Sequence, residues 1–216
     1  MVLKVLPVEE SDFPDFVRIQ HDAFTSGNSA MTTLLKPSPL PPSWYEKSIE
    51  KHIKSWREES DVTYLKVVDT YDNAMIACAK WRINKKERTE EEIQGMLPVP
   101  GKDEEERPAA RDFMNYLARV RREYMGTKPF FFLHMLVTDP AHHRRGAGKM
   151  LIEWGTEKAD KVQLPCFLEA SEVGKPLYAR MGFETKHAEV FDLSKYGLQG
   201  TDTNTVMIRE PLIYVM

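Results

Sequence analysis

The stretch TDPAHHRRGAGKML, Thr138 to Leu151, gathers two His, two Arg and two Gly between an apolar run and a helical pattern. Such a composition suits an anion. The first turn of any helix leaves backbone N–H groups without intrahelical partners, and the helix dipole adds partial positive charge there. Gly146 and Gly148 carry no Cβ, so a ligand can approach the main chain, while Arg144 and Arg145 add local charge. A pyrophosphate would fit that cradle; a basic loop with a glycine-relaxed helix start is the plainer alternative. Two nucleotide signatures fail on spacing. A Walker loop ending at Gly148-Lys149 needs Gly where the chain has His143, and a dinucleotide fingerprint needs a third Gly where it has Leu151.

The elements that must position this loop follow from hydrophobic period. PFFFLHMLVTDP is a near-continuous apolar run, which predicts a strand buried on both faces at the centre of a sheet. It feeds the loop, and a helix follows from about Gly146 to Lys161. Upstream, LKVLP predicts a first strand, and a helix follows with Ser11 or Asp12 as its cap and Phe13, Phe16, Val17 and Phe24 on one face. LLKPSPLPPSW breaks regular structure, and a second helix runs from Trp44 to about Arg57 on Tyr45, Ile49, His52, Ile53 and Trp56. TYLKVVDT and AMIACAKWRI predict a hairpin, followed by a polar, charged insertion over 85–111 expected as an exposed loop. A helix on Phe113, Leu117, Val120 and Tyr124 closes at Gly126. Beyond the central strand come PCFLEAS, a short helix in VGKPLYARMGF, and two last strands in HAEVFDL and TVMIREP. The order predicts one α/β (α+β) domain over 1–216, with no repeat or linker to divide it.

Bulk properties narrow the classes. Of 216 residues 42% are hydrophobic and 29% charged, with a net charge of −3, so a general nucleic-acid binder, which needs a basic surplus, is disfavoured. Cys78 and Cys166 lie in apolar runs and read as buried free thiols in a reducing compartment; no Cys/His spacing predicts a metal site. No stretch reaches the length of a membrane span, and the expectation is a cytoplasmic protein.

His143-Arg144-Arg145-Gly146-Ala147-Gly148 resembles the acetyl-coenzyme A motif of the Gcn5-related N-acetyltransferase (GNAT) superfamily, Gln/Arg-x-x-Gly-x-Gly/Ala, with His in the first place. LYARMGF, Leu177 to Phe183, resembles that family's Tyr-x-x-x-Gly-Phe at the expected distance. The insertion before the central strand and the terminal VMIREP resemble fungal-type members. The resemblance implies a GNAT fold: a central mixed, mostly antiparallel twisted sheet flanked by helices, with an inserted loop and helix before the fourth strand. It implies transfer of an acetyl group from acetyl-CoA, as cosubstrate and without a metal, by direct attack of the primary amine of a small molecule or amino-acid-like acceptor. A protein lysine or N-terminus is the alternative acceptor, and a catalytically inactive CoA-binding sensor the alternative of another class.

The resemblance also assigns residues. The backbone of His143, Arg144, Arg145, Gly146, Ala147, Gly148 and Lys149 would hold the pyrophosphate, and Leu136, Val137 and Thr138 would pair with the pantetheine amides as an added strand. Tyr178 is the candidate general acid for the departing thiolate, or else an aromatic packed over the fifth strand. His134 sits mid-strand where many members place Glu or Asp. Its imidazole, with a pKa of ~6.5, suits a base for the acceptor amine; a core-lining histidine with both nitrogens satisfied is the alternative. Phe24, Trp44 and Tyr45 could line an aromatic acceptor slot or simply pack. The implied partners are a small amine, with neither nucleic acid nor membrane, and a homodimer is an assembly the family habit allows.

Overall fold

Along the chain run β1 (Leu3–Pro7), α1 (Phe13–Ser26), α2 (Ala30–Leu34), α3 (Trp44–Glu58), β2 (Val62–Asp69), β3 (Met75–Asn84), α4 (Glu90–Met96), α5 (Lys102–Glu105) and α6 (Pro108–Tyr124). They are followed by β4 (Phe130–Thr138), α7 (Ala147–Lys161), β5 (Cys166–Ser171), α8 (Lys175–Arg180), β6 (Glu184–Asp192) and β7 (Thr201–Arg209). The structure, a computed structural model, describes residues 2–27 and 29–213.

The strands form one mixed sheet in the order β1-β2-β3-β4-β5-β7-β6, antiparallel throughout except between β4 and β5. β4 is central, as its apolar run requires. α7 covers one face, where Leu151, Ile152 and Ala159 pack on Leu65, Val67, Trp81, Phe131 and Leu133. Gly155 lets α7 come down on Trp81: a Cβ there would stand 2.3 Å from the indole. The opposite face is shared. α1, through Phe13, Phe16 and Ile19, and α3, through Ile49 and Ile53, cover β2–β4, packed on Tyr64, Cys78, Met135 and Val137. α6 covers the rest through Tyr116 and Val120, packed on Phe130, Phe132, Phe167 and Val206. Cys78 and Cys166 are buried, free thiols.

Three local expectations are corrected. Residues 85–111 do not form a loop: they carry α4 and α5 and open α6. Thr89 and Glu92 exchange capping bonds at the start of α4, and Ile93 is buried against the body, although most of the segment is exposed as its charge demands. Asp12 stands at the N-cap of α1, yet its carboxylate accepts from Glu9 N and Lys66 Nζ instead of capping the helix. α2 is an added element. Its Met31 N–H donates to Asp202 of β7 at 2.8 Å, a cap supplied from far along the chain, which no local pattern announces.

Candidate functional site

The sheet opens at its centre. β4 and β5 share only the pairs Phe131↔Cys166 and Phe132↔Phe167, after which β4 runs on with β3 alone. A β-bulge sits at this point. Lys80 of β3 faces Met135 and Trp81 faces Leu133, so His134 is the extra residue of β4, with no partner across the ladder. A bulge bends its strand and redirects a side chain. Here it turns β4 away from β5 and leaves Leu136, Val137 and Thr138 with an open edge on the β5 side.

At the end of that edge the loop is built from short-range bonds. Asp139 accepts from Ala141 N at 3.0 Å and, from α1, Arg18 Nη1 at 2.9 Å. Burial opposes the Asp139 charge, but the bonds from Arg18 and Ala141 outweigh it and hold the carboxyl below its usual range. His143 Nε2 bonds the Thr138 carbonyl at 3.2 Å. Arg144 and Gly146 take positive φ, +63° and +87°, which turns the chain into α7. The Arg145 side chain does not reach outward as free local charge: it braces the loop on Asp69 of β2 at 2.5 Å and on His142 Nδ1 at 2.7 Å. The Arg145 bond, then the Tyr71 N–H, hold the Asp69 carboxyl below its ordinary value. Arg144 is exposed and faces solvent, as does Lys149 in the first turn of α7.

The backbone N–H groups of Arg144, Gly146, Ala147, Gly148 and Lys149 have no backbone partner among the described residues. A Cβ on Gly148 would lie 3.2 Å from Leu177 and 3.5 Å from Leu136, so this glycine also lets α7 seat against β4 and α8. Unpaired donors at a helix start fit a diphosphate. The open strand edge beside them fits the amides of an extended ligand.

His134 lies at the mouth of the opening. More than a third of it is exposed, and among the described residues its ring meets the Phe132 ring at 5.2 Å. Neither ring nitrogen bonds a described residue, unlike a histidine retained for packing. Desolvation, followed by the charges of Arg121, Lys80 and Arg82 and by His52, pushes its pKa well below the ordinary imidazole value. His52 is the satisfied histidine of this face. It bonds Tyr64 Oη and Gln20 Oε1, both at 3.0 Å, and burial with Lys80 and Lys51 brings it down to about 4. Lys80 is buried on Ser55 Oγ at 2.7 Å, and desolvation lowers it to about 8.

Tyr178 is buried on the opposite face against Phe183 and Gly174, and its hydroxyl bonds no described residue. Desolvation raises it to about 12, so the phenol stays protonated. Trp44 and Tyr45 meet each other and His21 at 5.0–5.4 Å, with Lys36 Nζ 5.8 Å from the Trp44 ring. Phe24 packs instead with the α1–α3 core, so the three expected slot residues do not form one cluster. Asn28, in the segment between them, lies outside the described residues. Sequence reasoning missed the buried pair of Arg121 on α6 and Glu169 on β5, at 2.7 and 3.1 Å. The signal was a lone acid inside the apolar strand CFLEAS. Among the described residues no group of three or more potential ligands could hold a metal, and no helix is long and apolar enough to cross a membrane.

Comparison with known proteins agrees with this geometry. A family model described as an acetyltransferase (GNAT) domain matches residues 112–185, from α6 to the start of β6. An uncharacterized N-acetyltransferase of Schizosaccharomyces pombe is 36% identical over 58 residues, 27% of this chain and 25% of that protein, so the match spans a quarter of the relative. Among solved structures, arylalkylamine N-acetyltransferase 2 from Aedes aegypti superposes with a TM-score of 0.66 at 13% identity, covering 97% of this chain and 99% of that one. An N-acetyltransferase from Thermoplasma acidophilum in complex with coenzyme A gives 0.54 at 14% identity, with the same coverage. At such identities the likeness shows the fold.

Proposed function

We propose, from the premise that this chain carries a GNAT acetyltransferase domain, that it transfers an acetyl group from acetyl-CoA to the primary amine of a small or amino-acid-like acceptor. The observation that carries the reading is the coincidence, on one strand, of the unpaired edge at Leu136–Thr138, the bulge at His134 and the loop of open N–H groups. Solved relatives of this fold include an arylalkylamine acetyltransferase and a coenzyme A complex, which supports both the cosubstrate and the acceptor class.

In this reading the N–H groups from Arg144 to Lys149 bind the pyrophosphate, and the β4 edge binds the pantetheine amides. One N–H of that edge polarises the thioester carbonyl, an oxyanion-type contact. His134, unbonded and kept neutral, accepts the proton that the acceptor ammonium must lose before its nitrogen attacks the carbonyl carbon. The C–S bond then breaks, and the extra proton on the attacking nitrogen passes to the departing sulfur, which leaves as the CoA thiol while the acceptor becomes the neutral amide. A thiol pKa of ~8.5 is too low for the thiolate to strip a phenol raised to about 12, so Tyr178 stabilises the leaving sulfur by donating a hydrogen bond and keeps its proton.

The test begins without knowledge of the acceptor. Acetyl-CoA at a hundred times its Kd should stabilise the fold by about 2.7 kcal/mol, read as a rise in melting temperature. A panel of amines, followed by release of the CoA thiol, then identifies the acceptor class. A well-folded protein whose melting temperature ignores acetyl-CoA would overturn the reading.

A further inference from the structure

His134 has to become cationic when it takes a proton, and the charged groups around it are unfavourable to that. Lys80 and Arg82 approach from β3, Arg121 from α6, and the His52 ring from α3. A base so placed is neutral and ready, but its protonated form needs an anion nearby. The sheet register supplies one. β4 and β5 are parallel and pair at Phe131↔Cys166 and Phe132↔Phe167. Two residues beyond the last pair, on the same face of the sheet, stand His134 on β4 and Glu169 on β5, one on each side of the opening.

The side chains agree with the register. Phe132 and Phe167 meet at 5.3 Å, Phe132 meets the His134 ring at 5.2 Å, and the Arg121 guanidinium lies over Phe132 at 4.9 Å. Arg121 also grips both carboxylate oxygens of Glu169, through Nε at 2.7 Å and Nη2 at 3.1 Å. Both side chains are almost fully buried, at 9% and 7% exposure. A fixed carboxylate is thus held on the α6 face of β5. Its field is felt nearby: after desolvation, Glu169 is the first cause that raises the Tyr116 phenol on α6. The Arg121 fork fills one lone-pair direction on each oxygen, and no other donor among the described residues bonds the Glu169 carboxylate.

We infer that Glu169, clamped by Arg121, is a positioning residue that stabilises the imidazolium formed at His134 when the acceptor amine gives up its proton. The proton moves from the ammonium nitrogen to a ring nitrogen of His134 and later leaves to solvent. Glu169 stays ionised and exchanges no proton. The ion pair then has a purpose beyond packing, because it places an anion beside the base without leaving a buried charge unpaired. The inference rests on the acetyltransferase reading, since it is that reaction which charges His134.

The experiment uses two variants of opposite sign. Glu169→Gln keeps the shape and removes the negative charge, so His134 should titrate at lower pH. Arg121→Met removes the positive charge and leaves the carboxylate, so His134 should titrate at higher pH. Both are read by NMR of the His134 ring carbons in the full chain without substrate, and again in the acidic limb of the kcat profile. Glu169→Gln should lower kcat about 10-fold with the KM for the amine unchanged, and Glu169→Asp should recover part of it. A merely structural pair would shift both titrations in the same direction, or neither, and that outcome overturns the inference. The NMR reading needs no turnover. If the wild type acetylates no amine, the proposed function fails; if it does and the two titrations fail to diverge, only this inference falls.

Discussion

At His134 the bulge and the surrounding charge act together, the one exposing the ring and the other keeping it unprotonated. With its pKa pushed well below the ordinary imidazole value, the acidic limb of kcat/KM given by the proposed base should lie below the ordinary imidazole range; a limb above that range belongs to the acceptor amine. His134→Ala should abolish that lower limb and reduce the plateau about 100-fold, within the usual range for a general base. A profile identical to wild type would remove His134 from the reaction. Tyr178→Phe, which deletes only the hydroxyl, should cost about 100-fold in kcat while leaving the KM for acetyl-CoA in place; unchanged turnover would reduce the tyrosine to packing. Both residues could be found from sequence, because each sits at a fixed distance from the glycine loop. Glu169 and Arg121 could not be paired that way, since they stand 48 residues apart and meet only through the fold.

The elements show where local pattern suffices and where it fails. The strand, loop and helix from Phe130 to Lys161 were legible because their cues are contiguous: an apolar run, then glycines, then a 3.6-residue period. The insertion was not, because α4 buries little more than Ile93 and its acidic run masks so small an apolar face. The brace from Asp69 to Arg145 belongs to this scale too, since it ties the end of β2 to the loop. Asp69→Asn should loosen the loop and raise the KM for acetyl-CoA several-fold while kcat at saturation holds; an unchanged KM would show that the loop keeps its shape unaided. Gly155→Ala probes how α7 is seated. A Cβ 2.3 Å from the Trp81 ring must push the helix or the indole aside, and overpacking of this kind costs typically 1–3 kcal/mol. A melting temperature equal to wild type would mean that α7 shifts freely.

Over the whole molecule, stability is tied to pH through buried carboxylates. Asp160 at the end of α7 accepts from Nη1 and Nη2 of Arg209, at 2.7 and 2.8 Å, and from Leu212 N at 2.9 Å. Burial raises its pKa, but these partners outweigh it and the net direction is down, as at Asp139. A depressed folded pKa gives stability that is present above the unfolded value, ~3.9 for Asp, and lost as pH falls through the folded one. The urea midpoint should fall below about pH 6.5, where the imidazoles of the unfolded chain take protons that buried His52, held at about 4, refuses, and fall again below about pH 4 as the carboxylates protonate. Asp160→Asn should lower the midpoint at neutrality and flatten the second drop; a curve parallel to wild type would show that other carboxylates set the acid limit.

The two-pair junction between β4 and β5 has one more consequence. Everything before it, β1 to β4 with α7, comes from residues before Val162, and everything after it, β5 to β7, from residues beyond, so the opening in the sheet coincides with a cut in the chain. Arg121–Glu169 and Arg209–Asp160 fasten one side to the other like rivets across a joint. Cleaved in the exposed turn near Gln163, the two fragments should find each other again, and a ligand lying in the opening would act as mortar. The protein would then serve as its own reporter for whatever molecule fills that opening.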